Sequence, residues 1–458
     1  MISWHNRVGR VLTVLAVAAT PLFLLTTNGH AADFTVDSAA DSGPGTLRQA
    51  LLDAQAGSDN VINVTPGLGT ITLSNVLTYN ANANLTINGN GVVVNANGSD
   101  GALRVAGDGN LTIDGMTLTG ANATGSEAGA LVKTGNAGNV ALSNCSISGN
   151  TVSTGNNADV GAIDVSSGGT SIDGCEINSN HLTSGTAVDT APVASIGGPL
   201  TVTNSDISGN TVSAQSGVVA GAIDSEGGPV TVTNTSITGN SVTTAQTNSD
   251  TAGAIASEGG TMTITNSTIS GNTANAPAGQ NANVSGGLLV FASSGEGNPG
   301  LAMVYVTLTN NTGGAGGNIF SPNPVTSFGS VVTGATPNCF FDEDAAMTSN
   351  GYNFSDDASC GFTDPTDHQS AGSPGLNALA DNGGPGLTQL PEATSPLVDA
   401  IPTGSCQADG AAGITTDERG VTRPQFGGCD IGAIELNTQP TPEPQPQPPV
   451  TIQPKFTG

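Results

Sequence analysis

Positively charged side chains are the scarcest feature of this sequence. Its 458 residues contain 8 Lys and Arg against 36 Asp and Glu, which gives a formal net charge of −28. Proteins that bind nucleic acid or anionic lipid neutralise phosphates with Lys and Arg, and this chain has very few of either. The composition therefore predicts no nucleic-acid partner. It predicts no organic cofactor either, and calcium is the ion that it favours.

Aromatic residues are also rare, at 3% of the chain. A core built on Phe, Tyr and Trp is therefore not expected, and stacked Ile, Val, Leu and Ala side chains fit better. The same scarcity leaves few platforms on which sugar rings could stack. Nucleophilic catalysis has no support, because after residue 31 the only histidines are His181 and His368, and no GxSxG string occurs.

Residues 1–31 have the features of a secretory signal peptide. Arg7 and Arg10 form a basic start, VLTVLAVAATPLFLL is apolar, and GHA at 29–31 supplies small residues for cleavage. The apolar run is short for a membrane span, and no second run follows. We therefore expect a secreted protein, in part associated with the cell surface, with no transmembrane segment. Cleavage would remove both arginines and no acid, which takes the net charge from −28 to −30.

The middle of the chain repeats. The strings SNCSISGN, DGCEINSN, TNSDISGN, TNTSITGN and TNSTISGN recur at steps of 30 to 32 residues, and a second motif, GAID or a variant of it, precedes them. Short alternating runs rich in β-branched residues, separated by Gly and Asn, predict short strands. Such a period predicts an all-β parallel β-helix, whose turns stack about 4.8 Å apart. The equivalent inward positions are Ile147, Ile177, Ile207, Ile237 and Ile269, and those of the second motif are Leu131, Ile163, Ile223, Ile255 and Leu288.

Two further positions should form ladders. Asparagines recur at one turn of the repeat and can hydrogen-bond along the stack; they are Asn150, Asn180, Asn210, Asn240 and Asn272. Cys145 and Cys175 occupy one position of adjacent turns, close enough for a disulfide but with parallel side chains. A bridge and two buried thiols are equally compatible with the sequence.

Both ends of a parallel β-helix need covering. At the N-terminal end, DSGPGTLRQALLDA predicts a helix with a capping box of Thr46 and Gln49, and Arg48 is expected to pair with an acid. At the C-terminal end, the spacing of the remaining cysteines favours the pairs Cys339–Cys360 and Cys406–Cys429.

The run DERGVTRPQFGGCDIGAIE, residues 417–435, gathers acids and arginines in a chain that has few arginines. We interpret it as a structural clasp, fastened by the Cys406–Cys429 bridge, whose final CDIGAIE forms a strand over the open end of the helix. The charged residues of this clasp are Asp417, Arg419, Arg423, Asp430 and Glu435, with Glu418 as a further partner for the arginines.

These terminal motifs carry a family resemblance. DSGPGTLRQALLDA resembles the CSLREA-type N-terminal segment of exported bacterial β-helix proteins, although the cysteine of that motif is absent. DNGGPGLTQLPEATSPLVDA together with the 417–435 run resembles the choice-of-anchor Q domain. The repeats between them resemble the right-handed β-helices of the pectin-lyase-like superfold and of polymorphic outer-membrane proteins. The resemblance implies an exported right-handed parallel β-helix, without implying an activity.

The expected organisation follows from these segments. We predict a signal peptide at 1–31, an N-terminal cap with the first turns at 32–98, and repeats at 99–335. A choice-of-anchor Q-like domain at 336–436 and a Pro-rich disordered tail at 437–458 complete the chain.

Three hypotheses for function remain, one of which is a calcium-dependent structural coat protein with the same fold. The favoured one is a non-catalytic adhesion, binding or structural protein that engages a host or environmental surface through an unidentified glycan or protein ligand. The alternative is a glycan-active hydrolase, which needs two carboxylates about 5 Å or about 6.5–9.5 Å apart. Asp164 and Asp224, two turns apart, and Glu226 and Glu258, one turn apart, are the candidate pairs. Solvated turn acids or a weak calcium site would explain the same residues.

Overall fold

The computed structural model is a parallel β-solenoid. It describes residues 32–437 except 57–58, 125–128, 156–160, 186–188, 247–248, 278–282, 292–299, 315, 343–344 and 409. The expected signal peptide, Gly57 and nearly all of the Pro-rich tail lie outside these residues. Short strands pair in parallel with the equivalent strand of the next turn, which confirms the predicted all-β class.

Four parallel sheets run along the solenoid. The first sheet contains Ala32–Val36, Asp59–Val64, Thr70–Thr72, Asn84–Asn95, Leu111–Thr119, Val140–Ser143, Ser146–Ser148, Thr170–Asp173, Glu176–Asn178, Leu200–Thr203, Asp206–Ser208, Val230–Thr233, Ser236–Thr238, Met262–Ser270, Leu301–Thr309, Val325–Phe328, Val331–Thr333, Met347–Ser349, Phe354–Ser355 and His368–Gln369. The second sheet contains Leu77–Tyr79, Leu103–Val105, Leu131–Lys133, Ile163–Val165, Val193–Ile196, Ile223–Glu226, Ile255–Glu258, Leu288–Phe291, Ile319–Ser321 and Cys339–Phe341.

The other two parallel sheets form a lateral extension with a small core of its own. The third sheet contains Asn122–Ala123, Thr151–Thr154, His181–Ser184, Thr211–Ala214, Ser241–Thr244 and Thr273–Asn275. The fourth sheet, on which the chain returns toward the second sheet, contains Val218–Ala220, Asp250–Ala252 and Val284–Ser285. A separate antiparallel pair joins Ile401–Pro402 to Gly428–Cys429.

The predicted apolar ladders fill the main core. Ile147 pairs with Ile177, and the register continues through Ile207 to Ile237 and Ile269. In the second sheet, Val193 occupies the inward position between Ile163 and Ile223, where APVA replaces the GAID motif. Most of these side chains belong to one continuous buried cluster, so the first two sheets enclose a single aliphatic core.

The asparagine ladder is present and is longer than the repeat alone predicts. Asn180 donates its side-chain amide to Asn210 Oδ1 at 3.0 Å and to the Ile147 carbonyl at 2.9 Å. Its own oxygen accepts from the Asn150 backbone at 3.2 Å and from the Asn150 amide at 3.0 Å. Every polar group of this buried side chain is therefore bonded, as burial requires. The same pattern continues through Asn240, Asn272, Asn311, Asn318 and Asn338.

The cysteine question that the sequence leaves open has an answer in the structure. Cys145 and Cys175 form a disulfide, with their Cα atoms 4.5 Å apart on adjacent turns. The same position continues as a hydroxyl ladder, because the Cys175 backbone donates to Ser205 Oγ at 3.1 Å and Ser205 donates to Thr235 Oγ1 at 3.4 Å. The disulfide therefore takes the position that hydroxyl hydrogen bonds occupy on the following turns.

The N-terminal end is covered by the one α-helix of the described residues, Leu47–Asp53, followed by a short 3-10 turn at Ala54–Ala56. Thr46 caps this helix by accepting from the Gln49 backbone at 3.2 Å. The predicted capping box is incomplete, because the Gln49 side chain bonds Asp53 instead. Arg48 pairs with Asp41 at 2.6 Å, as expected of a structural arginine.

The C-terminal segment lies against the side of the solenoid. The expected final strand over the open end is wrong, because the residues after Cys429 form no strand and pack on the outer face of the first sheet. Asn266 donates to the Thr416 carbonyl at 2.7 Å, and Thr307 accepts from the Ala433 backbone at 2.9 Å. Ser236, Thr268 and Thr307 of successive turns all bond this segment, so polar groups of the first sheet hold it in place.

The two predicted local disulfides therefore have different positions. Cys339 and Cys360 are bridged within the main core at the last turns, together with Phe362. Cys406 and Cys429 are bridged within the lateral C-terminal segment.

The asparagine ladder gives the first prediction. Replacing Asn210 by Ala leaves the buried Asn180 N–H and Ile177 carbonyl without their side-chain partner. An unsatisfied buried polar group costs about 1–3 kcal/mol, so we expect the free energy of unfolding to fall by about 3 kcal/mol. Urea denaturation followed by circular dichroism measures this loss. Asn178→Ala, a half-buried outward position of an adjacent turn, is the control and should change the free energy by less than about 0.5 kcal/mol. Equal losses in both variants would contradict a special role for the ladder.

Candidate functional site

Asp164 and Asp224 are in register two turns apart in the second sheet, as the repeat predicts. Asp164 pairs with Ala194, which pairs with Asp224. They are 4% and 2% exposed. Beside Asp224 the fourth sheet covers this outer face, since Ala256, the next position of the ladder, packs with Ala252. Their interpretation as solvated turn acids is therefore wrong. Their burial also keeps a polysaccharide chain away from them.

Glu226 and Glu258 are brought together with a third acid. They end adjacent strands of the second sheet and face each other in register, as predicted. Asp189, on the segment that returns to the second sheet one turn earlier, completes the group. One carboxylate oxygen from each of the three residues lies within 4.8 Å of the others, and all three side chains are half buried. We call Asp189, Glu226 and Glu258 the acid cluster.

Asp189 is the member that the sequence reasoning missed. It lies outside the GAID motif, which defined the candidate pairs. A signal was available, since the string DTA occurs at Asp189–Ala191 and again at Asp250–Ala252, each time directly before the second-sheet strand. The recurrence places an acid at the junction between the fourth and second sheets.

Burial and mutual repulsion dominate the electrostatics of the acid cluster. Burial, reinforced by Glu226, raises the pKa of Asp189 to about 8. Burial, reinforced by Asp189 and Asp250, raises the pKa of Glu258 to about 7. The pKa of Asp250, beside them, is also raised by burial. Like charges this close cannot all ionise without a compensating proton or cation.

The ligand chemistry of the acid cluster fits a hard cation. Calcium is bound by carboxylate and carbonyl oxygens, and water completes the shell of six to eight ligands. Three carboxylates within reach of one point supply that donor type, and no soft ligand is among them. Calcium binding would compensate the charge of the cluster and lower the raised pKa values of Asp189 and Glu258.

The clasp residues come together as two buried ion pairs. Arg419 pairs with Asp417 at 2.8 Å, and Arg423 pairs with Glu435 at 2.8 Å. Burial raises the pKa of Glu435 even though Arg423 lowers it. Asp430 makes no ion pair; it accepts from the backbone N–H groups of Asp399 and Leu436. Both arginines of the clasp are therefore engaged in ion pairs with its own acids.

Arg423 also fixes the clasp to the solenoid. Its guanidinium lies 4.1 Å from the centroid of the Tyr305 ring, a cation–π contact. Tyr305 donates its hydroxyl to the Cys406 carbonyl at 2.6 Å. The arginine is therefore sandwiched between a solenoid side chain and Glu435.

Glu418 has a different environment from the one expected. It pairs with neither arginine and extends to the outer face of the first sheet, where Ser236 donates at 2.7 Å and Thr268 at 2.6 Å. The residue is 2% exposed. Burial raises its pKa to about 8, with Asp417 adding to the shift and the two hydroxyl groups and Arg419 opposing it. Asp206 lies opposite Ser236 on the preceding turn, and burial raises the pKa of this acid too.

The fold shows that the chain is a β-solenoid protein. Comparison with known proteins does not define a narrower class. No family profile matches the sequence, and no curated protein does. Among solved structures, the crystal structure of pectate lyase Pel9A is similar, with a TM-score of 0.43 and 14% sequence identity, over 89% of this chain and 98% of that one. At this level of similarity, no activity is inferred from the match. Across the residues that the structure describes, no helix is long and apolar enough to span a membrane.

The environment of Glu418 predicts a pH effect. Because its pKa is raised above the unfolded value of 4.5, its contribution to stability is present below pH 4.5 and is lost as the pH rises toward 8. In Glu418→Gln the buried carboxyl group is replaced by an amide, which is neutral at every pH. The variant should therefore gain stability relative to the parent over this range. We expect a difference on the order of a few kcal/mol at pH 9, measured by urea denaturation at each pH.

Glu392→Gln is the matched control, because Glu392 is exposed on the same segment. This variant should follow the parent at every pH. A Glu418→Gln curve parallel to that of the parent would contradict the buried-acid interpretation.

Proposed function

We propose that this protein is an exported, non-catalytic β-solenoid that presents a rigid adhesion, binding or structural surface outside the cell. The observation that carries this proposal is the regular outer face of the first sheet. Thr201, Thr231 and Thr263 stand in register on successive turns there, half buried and uncharged. Such side chains recognise a partner by shape and by repeated hydroxyl groups, and they supply no acid or base.

Export is supported by several independent features. The three disulfides suit an oxidising compartment. Residues 1–31 have the pattern of a signal peptide. The likeness of the terminal motifs to CSLREA-type and choice-of-anchor Q segments belongs to the same proposal and favours a secreted or surface-associated bacterial protein. The partner would be a host or environmental surface that displays a glycan or protein ligand.

Calcium would stabilise this solenoid through the acid cluster. Glu226 and Glu258 belong to adjacent turns, and Asp189 comes from the neighbouring return segment, so one ion would tie three stretches of chain together. It would also relieve the mutual repulsion that helps to raise the pKa values of Asp189 and Glu258. The role of the ion in this proposal is structural.

A glycan-active hydrolase is the second candidate, and one observation favours it. Oxygens of Glu226 and Glu258 lie within 4.8 Å of each other, close to the separation of about 5–5.5 Å in retaining glycosidases. The raised pKa of Glu258 suits a general acid near neutral pH. In that case Glu226 would be the nucleophile and Asp189 would modulate both.

The calcium proposal predicts ligand-dependent stability. Excess calcium should raise the melting temperature relative to a chelator, since a ligand at 100 times its Kd stabilises by about 2.7 kcal/mol. Differential scanning calorimetry of the parent, Glu226→Gln and the control Glu392→Gln measures the effect. The increase should persist in the control and vanish in Glu226→Gln. A melting temperature that calcium leaves unmoved in the parent would refute the metal site.

Activity assays separate the two functions. We expect no hydrolysis of a panel of neutral polysaccharides by the parent protein, measured as release of reducing ends. Hydrolysis that is abolished in Glu226→Gln, or in Glu258→Gln, would overturn the non-catalytic proposal. Hydrolysis that survives in both variants would point to a contaminating enzyme.

A further inference from the structure

A polar cavity lies where the C-terminal segment meets the solenoid. Its volume is about 440 Å³, within the range of about 300–1,000 Å³ found for small-molecule sites. One wall is the outer face of the first sheet, where Thr309 and Thr333 stand in register. The opposite wall is the segment from Gly372 to Leu376, together with Gln389. Cavities at such internal interfaces are common binding sites.

The cavity is built from fixed groups. Gln389 is buried, accepts from the Thr309 hydroxyl and donates to the Asn377 carbonyl at 3.2 Å, so its amide is held in place. Asp356 is held by the Gly334 backbone N–H at 3.1 Å and by the Asn338 side chain at 2.6 Å. Each of its oxygens keeps acceptor capacity after these bonds. A carboxylate positioned in this way needs little reorganisation to bind a ligand.

The lining determines the chemistry of the ligand. Asp356 is the one charged residue among those that line the cavity, so an anion would be repelled, the more so by a chain of net charge −28. Thr333, Ser373 and Asn310 add hydroxyl and amide groups that both donate and accept. An ammonium ion only donates and would leave these groups unmatched. A neutral molecule with several hydroxyl groups matches them and can donate to Asp356.

We propose that this cavity binds a neutral sugar, such as the terminal residue of a surface glycan, with Asp356 accepting hydrogen bonds from its hydroxyl groups. This inference rests on the proposed binding function and adds the chemical class of the ligand. Thr333 and Ser373 complete the polar contacts, while Pro374 and Leu376 supply the apolar side against which the ring packs.

The test uses the full chain and a panel of neutral mono- and disaccharides, with glucosamine and glucuronate as the cationic and anionic probes. Isothermal titration calorimetry and saturation-transfer NMR measure binding. We expect at least one neutral sugar to bind, with glucuronate excluded. Thr333→Val combined with Ser373→Ala should weaken that binding at least about tenfold, since both polar contacts are lost. Ser373→Phe, which fills the cavity, should abolish it.

Thr183→Val is the matched control: Thr183 is a half-buried threonine of the third sheet that does not line the cavity, and its replacement should leave the affinity unchanged. Circular dichroism of every variant reports whether the fold is kept. Binding of a neutral sugar that the cavity variants leave intact would overturn this site while the proposed binding function stands. Stronger binding of glucosamine than of any neutral sugar would overturn the ligand class. Failure of the whole panel would refute the site and leave protein ligands as the remaining partners of the proposed function.

Discussion

The stacked asparagines constrain the rest of the structure. Each buried amide needs an identical group one turn away, because its oxygen accepts from the preceding asparagine and its nitrogen donates to the next. The stack therefore fixes the register between turns and tolerates no shift by one residue. Once this register is set, the isoleucines superimpose and the aliphatic core closes. Few aromatic residues are needed, because the core consists mainly of aliphatic side chains that stack on the equivalent side chain of the next turn.

What the sequence predicted follows from this periodicity. The isoleucine, asparagine and cysteine positions recur at fixed steps, so their stacking could be deduced before any coordinates. Val193 does not belong to the repeated motif, but it takes the equivalent inward position. Register depends on the spacing of the residues more than on their identity. The pairing of Glu226 with Glu258 was predictable for the same reason.

The contacts that could not be predicted are those between a repeat and a segment outside the repeats. Glu418 reaches Ser236 over 182 residues, and no repeat or local propensity encodes that distance. The same limit explains the error over CDIGAIE, whose strand-like pattern gave no sign that it would dock on the side of the solenoid. Asp189 was missed because it belongs to the return segment, whose spacing varies from turn to turn.

An acidic chain with few cations has to compensate its buried carboxylates by several means. The molecule does this in three ways. In the clasp, Arg419 pairs with Asp417 and Arg423 pairs with Glu435. Glu418 is solvated by two hydroxyl groups of the solenoid. The acid cluster has neither; the Val218 backbone donates a hydrogen bond to Asp189, and a proton or a cation would supply the further compensation.

A perfect repeat can only place identical groups side by side, whereas a specific site needs different groups that converge. Both candidate sites accordingly lie where a non-repeating element meets the ladder. At the acid cluster, the return segment adds Asp189 to two repeated glutamates. At the cavity, the C-terminal segment places Ser373 and Gln389 opposite repeated threonines. The cavity and the Glu418 contact share this docked segment, so any change that loosens it acts on both. Ionisation of Glu418 at high pH weakens the docking and therefore opposes ligand binding, in the same direction as it lowers stability.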